Sequence, residues 1–406
     1  ENVYGLATTN MLIHSDGNSN IRQGSCFALA DWIKEAKPNV ILMNPPYNGQ
    51  RIHLPKSYVD TWAKDKKEDP SKGFYFVKYI ADVLNSINHQ ATLAVLLPVA
   101  CAIGTKGVIK EIKEQILEEN TLDAVFTLPN DIFHPGATVQ ACCMVFKIGR
   151  KHSDISTPNT FFGYYKDDGF KKKKNIGRIE QIDPITQTSK WINIEKEWID
   201  LYRNRREKPG RSATSAVSAS DEWVCEAYMD TDYTALNESD FINTLNGYFS
   251  YLVSVGKLFD EKFVPSSKYI MDYFNFLLSH KGNISKQIDV SNWKEFVYSE
   301  IFDVQKGFYN KKPEHSLVGE IPFLGATERC NGVTEYYSID DIDFASKTGD
   351  ENNVSIEEKL FSGNALCVTN NGSVGCAFFQ PTTFTCSHDV NPLYILDGCF
   401  NMYNAL

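Results

Sequence analysis

Apolar segments separated by helical patterns constrain the fold of the first third of the chain more than any other feature. Near-continuous apolar runs predict strands at residues 40–43, 91–97, 122–128 and 139–148. Residues 73–90 repeat apolar side chains at the helical period, and a second helix is predicted from a cap at Thr105 to about residue 120. Strands that are apolar on both faces and alternate with helices indicate an α/β domain with a mostly parallel sheet. Ligands bind such sheets at the carboxyl ends of the strands.

Composition is typical of a globular protein with two or three domains. The chain has 406 residues, of which 42% are hydrophobic and 23% charged. Its net charge of −10 argues against a uniformly basic nucleic-acid binder, but a local basic groove is compatible with this charge. No apolar run reaches membrane-spanning length and no signal peptide is visible, so we expect a cytoplasmic protein without membrane contact. Ten cysteines lack a C-x-x-C pair, which predicts core thiols and no metal site.

The tetrapeptide Asn44-Pro45-Pro46-Tyr47 directly follows the first apolar run. An amino group conjugated with a ring is a poor nucleophile, because its lone pair is delocalised. The Asn44 side-chain oxygen and the Pro45 carbonyl would accept hydrogen bonds from such a group and stabilise its developing positive charge. Tyr47 would offer a flat face to an extruded base. The alternative is a Pro-Pro turn with a packed tyrosine, and these four residues alone favour neither interpretation.

Several motifs in the first half of the chain occur in an order that resembles a known enzyme family. They are Gln23-Gly24-Ser25-Cys26-Phe27, Asn44-Pro45-Pro46-Tyr47, the segments 91–98 and 122–133, and Asp167-Asp168-Gly169-Phe170 before a lysine run. In this order they resemble the N6-adenine DNA methyltransferases of restriction-modification systems, above all type I modification subunits and fused type IIG/IIB enzymes. The resemblance implies a Rossmann-like methyltransferase sheet and methylation of adenine N6 in DNA with S-adenosylmethionine as the cofactor.

The resemblance also implies roles for individual residues. Asn44, Pro45, Pro46 and Tyr47 would be catalytic, and Tyr47 and Phe133 would contact the target base. Ser25, Cys26, Phe27 and Asn44 would bind the cofactor. No glycine-rich strand-to-helix turn precedes the first apolar run. The N-terminal part of the sheet is therefore expected upstream of residue 1, and the chain alone is expected to be inactive and to bind S-adenosylmethionine weakly or not at all.

The middle of the chain is basic and then helical. Lys171, Lys172, Lys173 and Lys174 form a run that predicts contact with DNA phosphate, although a lone charge run is more often a solvated loop. Residues 209–220 are rich in Ser and Ala and predict a linker or a mobile loop. Helices are predicted from residue 237 onward and at residues 269–278, with Pro265 between them, as a packed connector.

From about residue 293 the pattern changes to short strands and turns. Asn-Gly pairs at 331–332 and 371–372 lie between apolar runs and predict turns. This part resembles the target-recognition domain of type I specificity subunits and of fused relatives, which implies a mixed α+β domain that reads DNA bases. Candidate base or phosphate contacts by residue type are Thr327, Arg329, Asn331, Asn370, Asn371 and Ser373. For any single one of these residues, capping a turn is the simpler explanation.

These patterns predict three segments. Residues 1–165 would be the C-terminal portion of the catalytic domain, 166–290 a basic loop, linker and helical connector, and 291–406 a truncated target-recognition domain. The expected partners are double-stranded DNA and restriction and specificity subunits or a fused nuclease. The alternative function is a non-catalytic DNA-binding fragment that positions a partner methyltransferase or nuclease. A protein-glutamine or RNA methyltransferase shares the tetrapeptide chemistry, but the recognition-like domain argues against it.

Overall fold

The chain divides into two compact units, Glu1–Asp232 and Tyr233–Leu406. The computed structural model describes residues 2–15, 20–137, 139–153, 157–173, 176–279, 288–314, 319–349 and 354–406. No helix within these ranges is long and apolar enough to cross a membrane. The division into three segments stays a prediction.

The first unit is built from helices on both sides of a central sheet. Its helices are α1 (Asn2–Ile13), α2 (Ala30–Ala36), α3 (Lys56–Val59), α4 (Phe74–Asn85), α5 (Val99–Ile103), α6 (Gly107–Leu117) and α7 (Lys190–Asn204). Its strands are β1 (Val40–Met43), β2 (Ala91–Pro98), β3 (Thr121–Thr127), β4 (Ala141–Ile148), β5 (Thr160–Tyr164), β6 (Phe170–Lys173), β7 (Gly177–Glu180) and β8 (Ser212–Ser215). The four predicted strands are confirmed as β1 to β4, with bounds that differ by at most two residues.

The central sheet is mixed, with the strand order β1-β2-β4-β3-β5-β8. β1 runs parallel to β2 and β3 runs parallel to β5, whereas β4 is antiparallel to both of its neighbours and β8 is antiparallel to β5. The prediction of a mostly parallel sheet is therefore wrong, while the α/β fold class is confirmed. A loop without a crossover helix joins β3 to β4, and such a connection brings adjacent strands together in antiparallel orientation.

Both faces of the sheet are covered at β2 to β5, which explains the near-continuous apolar sequences of these strands, whereas Val40 and Leu42 of the edge strand β1 are exposed. Leu93 and Val95 of β2 share one core with Phe74 and Leu84 of α4. On the other face, Ala124, Val145 and Phe161 pack against Leu201 of α7. Because successive strand residues point to opposite faces, each strand needs apolar side chains in both directions.

Two local predictions in this unit are wrong. Thr105 does not cap α6, since the N-cap residue is Lys106 and no side chain caps this helix end. Residues 209–220 are not a linker, because β8 lies within them and pairs with β5 at the edge of the sheet. Val217 and Ala219 that follow β8 are buried. A Ser- and Ala-rich composition occurs both in linkers and in packed segments such as this one, so composition alone does not separate the two.

The second unit begins with two long helices, which are followed by two small sheets and three short helices. Its helices are α8 (Glu238–Ser254), α9 (Ser267–Ser279), α10 (Tyr298–Ile301), α11 (Ile339–Phe344) and α12 (Met402–Ala405). Its strands are β9 (Phe302–Val304), β10 (Ile321–Leu324), β11 (Val333–Tyr337), β12 (Ala365–Thr369), β13 (Ala377–Gln380), β14 (Thr385–Cys386) and β15 (Val390–Ile395). The strand orders are β11-β10-β14 and β13-β12-β15-β9. The predicted connector helices are confirmed as α8, which begins with a capping box at Asn237, and α9.

Candidate functional site

The tetrapeptide Asn44-Pro45-Pro46-Tyr47 lies at the carboxyl end of β1, where Met43 pairs with Val95 of the parallel strand β2. Pro45 is buried and Tyr47 is half-buried, whereas Asn44 is exposed. The Tyr47 hydroxyl donates a hydrogen bond to Asn44 Oδ1 over 3.3 Å. This places an accessible carboxamide at the sheet edge where ligands bind in α/β folds.

Tyr47 is part of an aromatic pair with Phe133. The ring centroids are 6.3 Å apart and the planes are inclined by 61°, an edge-to-face arrangement. Burial raises the pKa of the Tyr47 hydroxyl to about 12, and the nearby thiols of Cys142 and Cys101 add to the shift. The hydroxyl is thus a neutral hydrogen-bond donor at physiological pH. The structure brings Tyr47, Phe133 and Asn44 together, and contact of Tyr47 and Phe133 with the target base stays a prediction.

A buried carboxylate orders the turn behind the tetrapeptide. Asp69 is 1% exposed and accepts hydrogen bonds from the backbone N–H groups of Ser71 at 2.8 Å and Gly73 at 3.0 Å. Burial raises the pKa of Asp69, and the hydrogen bonds from Ser71 and Gly73 oppose that shift. The Asp69 backbone N–H donates to Gly49 O over 2.8 Å, which ties this turn to the segment that follows Tyr47.

Gly73 packs directly against the tetrapeptide. Its φ of +104° lies in the region that favours glycine, and a Cβ built there would stand 3.1 Å from Leu97 Cδ2 and 3.2 Å from Pro45 Cγ. The Asp69 turn therefore sets the position of Pro45 from behind. Sequence reasoning missed both Asp69 and Gly73. The available signal was a glycine immediately before the apolar helical run of α4.

The loop that carries Phe133 is held by its own turns and by an arginine. Within residues 129–137, the Phe133 loop, the His134 N–H donates to Asp131 O and the Gly136 N–H to Phe133 O. The Asp131 carboxylate accepts a hydrogen bond from Arg178 Nε over 3.1 Å. Arg178 belongs to β7, and the sequence contains no pattern that would have singled it out.

Three of the predicted cofactor residues, Ser25, Cys26 and Phe27, lie at a short 3-10 turn, Cys26–Ala28, in front of α2. The Phe27 ring packs on Phe76 at 4.8 Å and on Tyr79 at 4.9 Å, and the Tyr79 hydroxyl donates to Phe27 O over 2.9 Å. Burial raises the pKa of the Cys26 thiol, while Ser25 is exposed. Phe27 thus serves the core, and its role in cofactor binding stays a prediction.

Among the described residues, the segment before β1 lacks one element that the resemblance to methyltransferases implies for cofactor binding. In the described part of the chain before β1 there are helices and turns but no strand, so no strand-to-helix turn is present there to hold the polar end of the cofactor. On the edge strand β1, Val40 is 68% and Leu42 81% exposed. Binding of S-adenosylmethionine by Asn44 and its neighbours stays a prediction.

The predicted phosphate contacts Lys171, Lys172 and Lys173 lie on β6 and are exposed, and Lys174 lies outside the described residues. β6 pairs with β7 in a two-stranded ribbon, the basic hairpin (residues 170–180). Exposed lysines on a strand are suited to contact with a nucleic-acid backbone.

The candidate contacts in the second unit are placed unequally. Asn331 is 8% exposed, and its amide donates to Phe379 O over 2.9 Å. The amides of Asn370 and Asn371 are exposed but hydrogen-bonded to Asn391 and Asp389. Thr327 Oγ1 accepts a hydrogen bond from the Arg329 N–H over 3.2 Å, and the Arg329 side chain is exposed. Ser373 is half-buried. Contact of these residues with DNA stays a prediction.

Family models match most of the chain. The N-6 DNA Methylase model matches residues 1–209, and the model of the type I restriction modification DNA specificity domain matches residues 290–404. The resemblances stated from the sequence are confirmed by these matches.

Two curated relatives come from Heyndrickxia coagulans. The type II restriction enzyme and methyltransferase RM.BcgI is 26% identical over 256 residues, which is 62% of this chain and 36% of that protein. The specificity subunit S.BcgI is 33% identical over 143 residues, 32% of this chain and 36% of that protein. The chain therefore spans about a third of the length of the curated relatives it matches.

Among solved structures, the methyltransferase subunit of a type I restriction-modification system from Streptococcus thermophilus is 20% identical, with a TM-score of 0.37, and the match covers 56% of this chain and 46% of that one. Because the methylase model alone matches 209 of 406 residues, the chain belongs to the N-6 DNA methylase family, with a type I DNA specificity domain in its C-terminal part.

Proposed function

We propose that this chain takes part in the methylation of adenine N6 at a specific DNA sequence, with S-adenosylmethionine as the methyl donor, as part of a restriction-modification system. The observation that carries the proposal is the exposed Asn44 carboxamide at the carboxyl end of β1, next to the Tyr47–Phe133 ring pair. Family membership makes the methyltransferase chemistry the expected one.

The proposed role of the chain's own residues is to activate and hold the target amino group. Asn44 Oδ1 has two lone pairs, so it accepts from the base while Tyr47 still donates to it. Together with the Pro45 carbonyl it draws the N–H bonds of the amine out of the ring plane, which localises the lone pair on nitrogen. Acceptors fixed by Gly73 and Asp69 need little reorganisation as positive charge develops.

DNA would be held at two places. The lysines of the basic hairpin would contact phosphate without regard to sequence, and residues of the specificity domain would read the bases. Thr327, Arg329, Asn370, Asn371 and Ser373 remain candidates there. Asn331 is left out of this proposal because its amide is already used inside the protein. Restriction and specificity subunits or a fused nuclease are the proposed partners, and a cytoplasmic location stays a prediction.

The reaction is tested in cells that express the complete reading frame containing these residues. DNA from these cells and from cells without the gene is digested to nucleosides, analysed by mass spectrometry and sequenced for modified bases. We expect N6-methyladenine at one sequence motif, present only with the gene. Methylation of cytosine, or no methylated base, would contradict the proposal.

A second function, a non-catalytic DNA-binding unit, would also account for the exposed lysines of the basic hairpin and for the match to the DNA specificity domain. It predicts that the 406-residue chain binds duplex DNA but gives no saturable heat with micromolar S-adenosylmethionine in calorimetry. Weak cofactor binding by the chain is also what we propose under the catalytic function. Analysis of methylated bases in the DNA of the expressing cells distinguishes the two functions, because only the catalytic function produces methylated adenine.

A further inference from the structure

Arg178 joins two segments that the proposed function uses separately. Its guanidinium donates two hydrogen bonds of 2.7 Å to the two carboxylate oxygens of Asp168, and a third of 3.1 Å from Nε to Asp131. The side chains of Arg178 and Asp168 are only 12% and 8% exposed. Charge-assisted hydrogen bonds of this kind, partly shielded from water, fix geometry more firmly than exposed ion pairs do.

On one side, Arg178 stabilises the basic hairpin. Arg178 lies on β7 opposite Lys172 of β6, and its guanidinium is 5.5 Å from the centre of the Phe170 ring. The Asp168 carboxylate also accepts from the Phe170 N–H at the start of β6. The guanidinium therefore sits at the base of the strand that presents Lys171, Lys172 and Lys173.

On the other side, Arg178 contacts the Phe133 loop. Asp131 precedes Phe133 by two residues, and the turn between them is closed by the His134 N–H to Asp131 O hydrogen bond of 2.9 Å. The Phe133 ring in turn stands edge-to-face against Tyr47. A continuous set of contacts thus runs from the hairpin lysines through Arg178 and Asp131 to the ring pair beside Asn44.

We propose that Arg178 is a positioning residue that couples phosphate contact at the basic hairpin to the placement of Phe133 against Tyr47. Binding of DNA phosphate by the hairpin lysines reduces the motion of the basic hairpin. Through the Arg178–Asp131 hydrogen bond it also reduces the motion of the Phe133 loop, which receives the extruded base. The inference rests on the proposed function. An arginine is required because a planar guanidinium serves two carboxylates at once, which a lysine ammonium does not match in geometry.

Two substitutions with opposite changes of charge test this coupling. Arg178→Met removes a positive charge, and Asp131→Asn removes a negative charge while leaving the Arg178–Asp168 pair intact. If these groups acted on DNA only through their charge, the two variants would change DNA affinity in opposite directions. The coupling predicts that both change the Phe133 loop in the same direction. Asp131→Asn also keeps the test valid if Arg178→Met fails to fold, because the half-buried pair with Asp168 remains.

The measurement is backbone hydrogen exchange of the purified chain, with and without a mixed-sequence duplex oligonucleotide at low salt. Without DNA, we expect exchange in residues 131–137 to rise about fivefold in Asp131→Asn, because the neutral amide oxygen accepts a weaker hydrogen bond from Arg178 Nε than the carboxylate does. With DNA, the wild-type chain should be protected in both the hairpin and the loop, and Asp131→Asn in the hairpin alone. If Arg178 only stabilised the fold, Asp131→Asn would not lose the DNA-dependent protection of the loop while keeping that of the hairpin.

Lys110→Met is the matched control, because it breaks an exposed ion pair with Glu114 on α6 and removes one positive charge elsewhere. Lys110→Met should leave exchange in the Phe133 loop the same as in the wild-type chain, both with and without DNA. Equal loop exchange in Asp131→Asn and wild type, with the hairpin protected by DNA, would overturn the coupling while leaving the proposed function intact. If DNA protects neither hairpin nor loop, the proposed phosphate contact fails, and the coupling inference fails with it.

Discussion

The two compact units place their predicted functional asparagines in opposite surroundings. Asn44 is exposed at the carboxyl end of a strand, and its side-chain oxygen accepts one long hydrogen bond of 3.3 Å from Tyr47. Asn331 is buried in a turn with φ of +55°, and its amide donates to Phe379 O over 2.9 Å. The first amide is available to a ligand, whereas the second is used by the protein backbone.

The difference shows what an asparagine in a sequence pattern predicts. Asparagine before glycine often adopts positive φ and bonds the local backbone, so the Asn-Gly pair at 331–332 predicts a turn more reliably than a contact with DNA. Asparagine between a strand and two prolines has no such local backbone partner. Prolines have no N–H group, so the backbone next to Asn44 offers fewer local partners to its side chain.

The largest expected effect is on catalysis at Asn44. Asn44→Ala should lower methyl transfer by about a thousandfold, the loss typical of removing one preorganised group that acts on transition-state charge. DNA binding should stay within about twofold, because the side chain acts on the extruded amine and not on the duplex. Tritiated S-adenosylmethionine incorporation and fluorescence anisotropy give the two readouts in the complete enzyme.

Asn204→Ala is the matched control for that substitution. Asn204 ends α7, and its amide donates to Asp200 on the same helix. The control variant should transfer methyl groups at the wild-type rate. If Asn44→Ala also keeps activity within a few-fold of wild type, Asn44 has no catalytic role, and the contrast with Asn331 disappears.

The next effect concerns the support behind Asn44. Gly73→Ala should cost about 1–2 kcal/mol of stability from its left-handed φ, and its Cβ would press on Pro45 and Leu97. We also expect the rate of methyl transfer to fall about tenfold, because a small displacement of reacting groups lowers the rate strongly. Gly398 has a φ of +112°, close to that of Gly73, but nothing lies within 4 Å of an added Cβ. Gly398→Ala is therefore the matched control. Equal transfer rates in the two variants would show that backbone strain alone matters.

A smaller effect, on stability instead of chemistry, is expected at Asn331. Asn331→Ala should lower the free energy of unfolding by about 2–3 kcal/mol, through the lost bond to Phe379 O and the cost of positive φ in alanine. Asn331→Gly relieves the φ cost and should lose about 1 kcal/mol less. The exposed Asn371→Ala should lose under about 0.5 kcal/mol. Urea unfolding measures all three, and an Asn331→Ala variant as stable as Asn371→Ala would contradict the buried role.

Residues close together in sequence were predictable, and partners brought together by the fold were not. The strands β1 to β4 follow from uninterrupted apolar runs, and Tyr47 and Asn44 are three residues apart. Arg178 is 47 residues from Asp131, and its partnership depends on where the fold places β7. The antiparallel course of β4 likewise depends on its connection to β3, which contains no crossover helix among its described residues.

The smallest expected effect is at the Tyr47 hydroxyl. Tyr47→Phe keeps the ring and removes only the long hydrogen bond to Asn44 Oδ1, so methyl transfer should fall about threefold. An acid with a raised pKa stays protonated to higher pH, and burial raises the pKa of this phenol to about 12, so it is still a neutral donor where an ordinary tyrosine ionises near 10. The rates of wild type and Tyr47→Phe should therefore run parallel from pH 6 to about pH 10. Tyr47→Ala removes the stacking face as well and should lose about tenfold or more. If the wild-type rate alone falls between pH 8 and 10, Tyr47 ionises in the active enzyme and Asn44 does not have the neutral neighbour that its accepting role requires.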